Sequence, residues 1–179
     1  WVLSCGAIPM ITWLDGTSGG EKDCRALLEC LCSKGAAALN IIPDRNWNIS
    51  NPDDRARKQA NLKEVVAQCE ELGLPVNIGT EMNKSGLPLV DDLAGEALRP
   101  YAGVFTRGAQ IMTGQTLLAR LAEYSYTSEA ARTEFPDVFK RNAFFAAVGA
   151  LPPISRESVR RLQEMGPSKA LQWFREQAK

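Results

Sequence analysis

Three short apolar runs, each closed by a carboxylate-bearing polar cluster and followed by helix-patterned sequence, constrain this chain more than any other feature. Ile11-Thr12-Trp13-Leu14 ends on Asp15. Ala37-Ala38-Leu39-Asn40-Ile41-Ile42 leads to Asp44-Arg45-Asn46. Pro75-Val76-Asn77-Ile78-Gly79-Thr80 leads to Glu81-Met82-Asn83. Strand spacings of roughly 30 to 38 residues suit right-handed βαβ crossovers. In parallel α/β folds the carboxyl ends of the strands carry the chemistry, so the three clusters mark where a site would assemble.

Local signals fill in the elements. A buried strand is expected over residues 7–15, with Pro9 early enough that its missing N–H does no harm. Ser18 and Glu21 have capping-box spacing. The helix after them carries Cys24, Leu27, Leu28, Leu31 and Cys32 on one face and stops at Gly35. A second strand over 36–42 and a polar loop over 43–51 precede another helix. Pro52 suits its first position, and Asp53 and Asp54 suit the positive end of its dipole. Leu62, Val65, Val66, Cys69 and Leu72 are its apolar stripe, and Gly73 its stop. The third strand is expected over 74–80. Beyond Asp92 the pattern is helical: Leu117, Leu118 and Leu121 mark one segment, with Gln115 and Thr116 near its start. Val138, Phe139, Phe144, Phe145 and Val148 mark another. Pro152-Pro153 reads as a hinge. Ser155 and Pro167 open two short amphipathic helices with Leu162, Met165, Leu171, Trp173 and Phe174 as core candidates. The expected organisation is 1–125 as βα units and 126–179 as a helical extension.

The 179 residues suffice for a domain with a sizeable core. Lys plus Arg and Asp plus Glu number 21 each, so bulk charge favours neither nucleic acid nor an anionic membrane. No run reaches the roughly 18 apolar residues of a membrane span, and residues 1–10 lack the charged start of a signal peptide. The five cysteines are irregularly spaced, as in a cytosolic protein with reduced, buried thiols. Cys30 and Cys32 diverge on a helix and do not make a metal or redox pair. The chain has no histidine. That excludes a Ser-His-Asp triad, a Cys-His pair or an imidazole base supplied by these residues. The opening at Trp1, directly before strand-like sequence, suggests the C-terminal part of a longer protein.

The clusters allow more than one reading. Glu81 and Asn83, two apart, would point the same way if the strand continued through them, offering oxygen ligands to a hard cation. Alternatively, Glu81 pairs with Arg45 and Asn83 caps a turn. Arg45 is suited to a bidentate grip on phosphate or carboxylate, Asn46 to a substrate contact, and Trp47 to walling a pocket. The alternative is a surface loop with an internal Asp–Arg pair. Asp15, before Gly16 to Gly20, is a metal ligand, a general base or an Asx-turn residue. Lys84 and Arg107 are candidates for an anion site, with solvated surface charge as the alternative.

Gly79-Thr80-Glu81-Met82-Asn83, after a buried strand, resembles the late Gly-Ser-Asp-x-His motif of the polymerase and histidinol phosphatase (PHP) superfamily. Pro43-Asp44-Arg45-Asn46 is similar to a strand-end Pro-x-Arg-Asn segment of some PHP-like proteins. The resemblance covers roughly residues 1–120. It implies a distorted barrel of βα units with a metal site at the strand ends, and phosphoester hydrolysis by a metal-activated water. By position, Glu81 stands where the family has an Asp ligand and Asn83 where it has a His ligand. The family's early His-x-His motif has no counterpart in this chain.

The expectation is therefore an α/β chain: the C-terminal part, about three βα units, of a TIM-like, PHP-type barrel followed by a helical tail. Its function would be metal-dependent hydrolysis of a small anionic, phosphorylated substrate in the cytoplasm. Asp15, Asp44 and Glu81 would be catalytic; Arg45, Asn46, Trp47 and Lys84 would bind substrate; Glu81 and Asn83 would hold a divalent metal (Mn, Zn, Fe or Mg). The alternatives are a metal-free or sugar-handling barrel isomerase or lyase, and a degenerate barrel that binds a ligand or partner. A partial barrel has open strand edges, so the missing N-terminal half or self-association is expected to cover them.

Overall fold

The computed structural model describes residues 1–82, 85–86 and 89–178. Asn83 and Lys84, expected as metal ligand and substrate contact, lie outside the described residues. The chain is mixed α/β and divides into two compact units, Pro9–Thr106, and Trp1–Ile8 together with Arg107–Lys179.

The first unit holds a parallel three-stranded sheet in the order β1-β2-β3. Its strands are β1 (Met10–Trp13), β2 (Ala38–Ile41) and β3 (Val76–Ile78). Helix α1 (Cys24–Ser33) connects the first two strands. The short α2 (Asp44–Trp47) and the long α3 (Pro52–Leu72) connect the second pair. The register sets Ile11 beside Leu39 and Leu39 beside Val76, so these side chains share one face. They form a single core with Leu28 of α1 and Leu62, Val65, Val66 and Cys69 of α3. Both crossover helices thus cover the same face. On the opposite face Thr12, Asn40 and Asn77 stand in one polar row.

Local chemistry explains the boundaries. Asn51 caps α3 by accepting from the Asp54 N–H at 3.0 Å, Pro52 begins it, and Gly73 ends it at φ 65°. The expected capping box at Ser18 is replaced by a later start: Asp23 caps α1 by accepting from Ala26 N–H at 3.0 Å. Glu21 has a different task, described below. The strands are shorter than expected. β3 ends at Ile78, so Glu81 is not on a strand. The loop expected after the second strand contains α2, because Pro43 and Asp44 supply a helical start there.

Burial separates the cysteines. Cys24 and Cys69 are buried, and burial pushes their thiols up to about 11 and about 12 respectively. Cys5 and Cys30 are exposed. Thiolate is the reacting species. With a thiol-reactive chromophore at pH 8, Cys5 and Cys30 are expected to react quickly, and Cys24 and Cys69 only after unfolding. Rapid native reaction of all five residues would contradict this packing.

The second unit is helical. It takes in α4 (Ala102–Ala122) from Arg107 onward, α5 (Glu129–Glu134), α6 (Val138–Gly149), α7 (Arg156–Met165) and α8 (Pro167–Gln177). Ser155 caps α7 through the Ser158 N–H, and Pro167 opens α8, as the sequence indicates. Tyr124, Tyr126, Phe144 and Phe145 pack as an aromatic cluster, with Tyr126 and Phe145 edge to face at 5.1 Å. Gln115 does not begin a helix but lies within α4. Buried, it donates to Gly6 O and accepts from Tyr126 N–H. Leu162 and Phe174 are core residues, whereas Met165 is exposed.

Candidate functional site

Asp15, Arg45 and Glu81 follow the carboxyl ends of β1, β2 and β3; Arg45 pairs with Glu81, and Asp15 pairs with Lys58 of α3. Arg45 donates from Nε to Glu81 Oε2 and from Nη2 to Glu81 Oε1, both at 3.1 Å. This is a bidentate fork. It joins the ends of two neighbouring strands and corresponds to the pairing alternative for Glu81. By accepting these hydrogen bonds Glu81 raises the Arg45 pKa, and the negative charges of Glu81, Asp15 and Asp44 push it the same way.

Asp15 pairs with Lys58 of α3 at 2.9 Å, with only 15% and 20% of the side chains exposed. Its Oδ1 also accepts from the Thr17 N–H and hydroxyl, the Asx-turn arrangement. Burial alone would raise its pKa. Hydrogen bonds from Thr17 and Lys58, together with the Lys58 charge, outweigh that and hold the carboxyl below its usual range.

Glu21 and Asn46 stiffen the platform beneath these pairs. The Glu21 carboxylate, 9% exposed, accepts from Leu14 N–H at 2.8 Å and Gly16 N–H at 3.2 Å. It satisfies the backbone where β1 gives way to the turn. Asn61 of α3 donates to Asp15 O at 2.8 Å. Gly16 sits at φ 74°, where an added Cβ would fall 2.7 Å from Asn61 Nδ2, so both the turn and the close approach require glycine. Asn46, expected to contact substrate, is fully buried. Its Nδ2 donates to Leu14 O and Ile42 O at 3.0 and 3.1 Å, tying the end of β1 to the end of β2.

The remaining candidates are placed as follows. Asp44 is half-buried at the first position of α2 and accepts from Asn48 Nδ2. Trp47, at the last position, is half-buried and lines a cavity of about 690 Å³. The sequence reading missed Lys58, Glu21 and Asn61. Lys58 and Asn61 lie on α3 outside its apolar stripe, at helical spacing from each other, which is a local signal for a shared contact. It also missed Asp91, buried at 3% exposure and accepting from the Thr80 hydroxyl.

The donor set can be tested against the expected metal. Among the described residues no group of three or more His, Cys, Asp or Glu side chains could hold a metal ion. Glu81 gives both oxygens to Arg45, and Asp15 is shared between Lys58 and Thr17. These carboxylates hold cationic side chains and are not presented together as an open ligand set. Among the described residues no helix is long and apolar enough to cross a membrane.

No family model matches the chain, and comparisons with curated proteins and with solved structures return no match.

Proposed function

We propose that the Pro9–Thr106 unit is part of the wall of a TIM-like, PHP-type barrel and binds a small anionic, phosphorylated substrate at its strand ends. Arg45 and Lys58 are the anchors. The observation that carries the reading is the pair of oriented cations at the carboxyl ends of adjacent parallel strands. Arg45 uses two N–H groups on Glu81, and a guanidinium has five, so donors remain for a phosphate oxygen. Its side chain is 41% exposed, open enough for a ligand to approach. Lys58 likewise has donors beyond its contact with Asp15.

The barrel assignment draws support from the topology. Sequential strand order with both crossover helices on one face is how a singly wound wall is built, whereas a doubly wound sheet places helices on both. The polar row of Thr12, Asn40 and Asn77 would then face the interior. In this reading Glu81 and Asp15 orient the anchors in the empty state. A bound phosphate that displaces Glu81 from Arg45 leaves that carboxylate beside the ligand, able to accept a proton. Asn83, the second expected metal ligand, lies outside the described residues, and no step of this account runs through a metal.

The test is calorimetric titration of the protein with inorganic phosphate and with glucose 6-phosphate. Binding is expected, and Arg45→Gln should weaken it by at least about tenfold, the worth of a charged hydrogen bond. Affinity should also fall with added sodium chloride. No binding of either probe, or equal binding by Arg45→Gln, would remove the proposal.

A further inference from the structure

The cavity of about 690 Å³ in the Pro9–Thr106 unit has a chemistry unlike the strand-end ion pairs. Trp47 of α2 and Tyr101 bring aromatic surface from separate elements. Arg55 and Gln59, one turn apart on α3, and Asp92 and Glu96, from the segment after β3, bring polar groups. Its volume lies in the range of small-molecule sites. The Tyr101 ring is braced by Phe105, with centroids 6.2 Å apart, so this wall is held in place.

The charges discriminate between ligands. One arginine faces two carboxylates across the lining, a net negative balance that opposes a phosphate or a nucleotide. Arg55 has no carboxylate partner among the described residues, so its donors are available. Donors from Arg55 and Gln59, acceptors from Asp92, Glu96 and Gln59, and apolar aromatic faces are the complement of a ring with hydroxyls on its edge and C–H groups on its faces.

We propose that this cavity binds a neutral carbohydrate of one or two sugar rings, with Trp47 and Tyr101 against the ring faces and Arg55, Asp92 and Glu96 on the hydroxyls. The inference goes beyond the anion site at Arg45 and stands without it, since none of its polar contacts belongs to that site.

The experiment titrates the full chain with glucose, xylose, maltose and cellobiose, followed by saturation-transfer NMR and tryptophan fluorescence. Glucose 6-phosphate is the charged comparison. Saturable binding of at least one neutral sugar is expected in the low-millimolar range or tighter. Arg55→Ala and Glu96→Gln, both at exposed positions, should each weaken it by about fivefold to tenfold with unchanged circular dichroism. Arg45→Gln should leave neutral-sugar binding intact while weakening phosphate binding by at least about tenfold, which separates failure of one proposal from failure of the other. No saturable neutral-sugar binding up to 50 mM sugar (about the weakest useful affinity, on the order of −2 kcal/mol) would overturn the proposal. So would neutral-sugar binding that ignores both cavity substitutions, or glucose 6-phosphate binding that Arg55→Ala abolishes more strongly than it weakens neutral sugars.

Discussion

Gly149→Ala is expected to destabilise the helical unit by about 3 kcal/mol, the upper part of the range for overpacking a tight contact. Within that unit α4 and α6 cross backbone to backbone. A Cβ built on Gly149 would lie 1.8 Å from Gln110 O and 2.8 Å from Gly114 N; one on Gly114 would lie 2.0 Å from Phe145 O. These obstacles are main-chain atoms inside helices and cannot swing aside as a side chain can. The helices would have to separate, loosening the packing that buries Phe145 and Val148. Gly103, also in α4, has nothing within 4 Å of its would-be Cβ. Gly103→Ala should therefore be neutral or stabilising by up to about 1 kcal/mol, the helix-propensity difference. Thermal melts of both variants by circular dichroism test the contrast. The first should lower the midpoint by roughly 6 to 12 °C for a chain of this size. An unchanged midpoint for Gly149→Ala would show that the two helices do not cross at these glycines.

The second large effect is at Asn46. Asn46→Asp preserves shape but turns the donor that faces Leu14 O and Ile42 O into a buried anion against two carbonyls. The cost at neutral pH should be about 3 kcal/mol or more, above the roughly 2 kcal/mol expected for Asn46→Ala. The sign with pH follows from linkage. Burial and the carbonyls raise the folded-state pKa of the new carboxyl above its unfolded value near 4. Its penalty is therefore small below that value, where the acid is protonated and can donate, and grows as pH rises through the folded-state pKa. Urea denaturation at pH 4 and pH 7, each against the parent chain, measures this. An equal deficit at both would mean that Asn46 does not clamp the two strand ends.

Asn46 also shows how far the sequence could be read. Its neighbours in the chain suggest a polar site cluster, and it does lie beneath one. Its burial depends on the approach of Leu14, 32 residues away, which no local pattern encodes. Glu81 is an intermediate case. The sequence offers Arg45 as a partner or a metal for Glu81 to hold; the structure ends β3 at Ile78 and pairs the carboxylate with the Arg45 guanidinium. Glu21 illustrates the opposite hazard: its spacing from Ser18 fits a helix cap, yet its carboxylate is drawn to the unpaired N–H groups of Leu14 and Gly16.

Elements whose causes lie within one or two turns of chain are written in the residues themselves. Pro52 after Asn51, Gly73 at positive φ, Ser155 and Pro167 each satisfy or forbid a nearby backbone group, so helix starts and stops can be read directly. The period of Leu62, Val65, Val66 and Cys69 likewise states which face of α3 must be covered. That both crossover helices share one sheet face, that Lys58 meets Asp15, and that Gly114 and Gly149 let two backbones touch are set by long-range packing. Those outcomes join residues tens of positions apart. Their energies depend on distances of a few ångströms that are set only when the whole core closes.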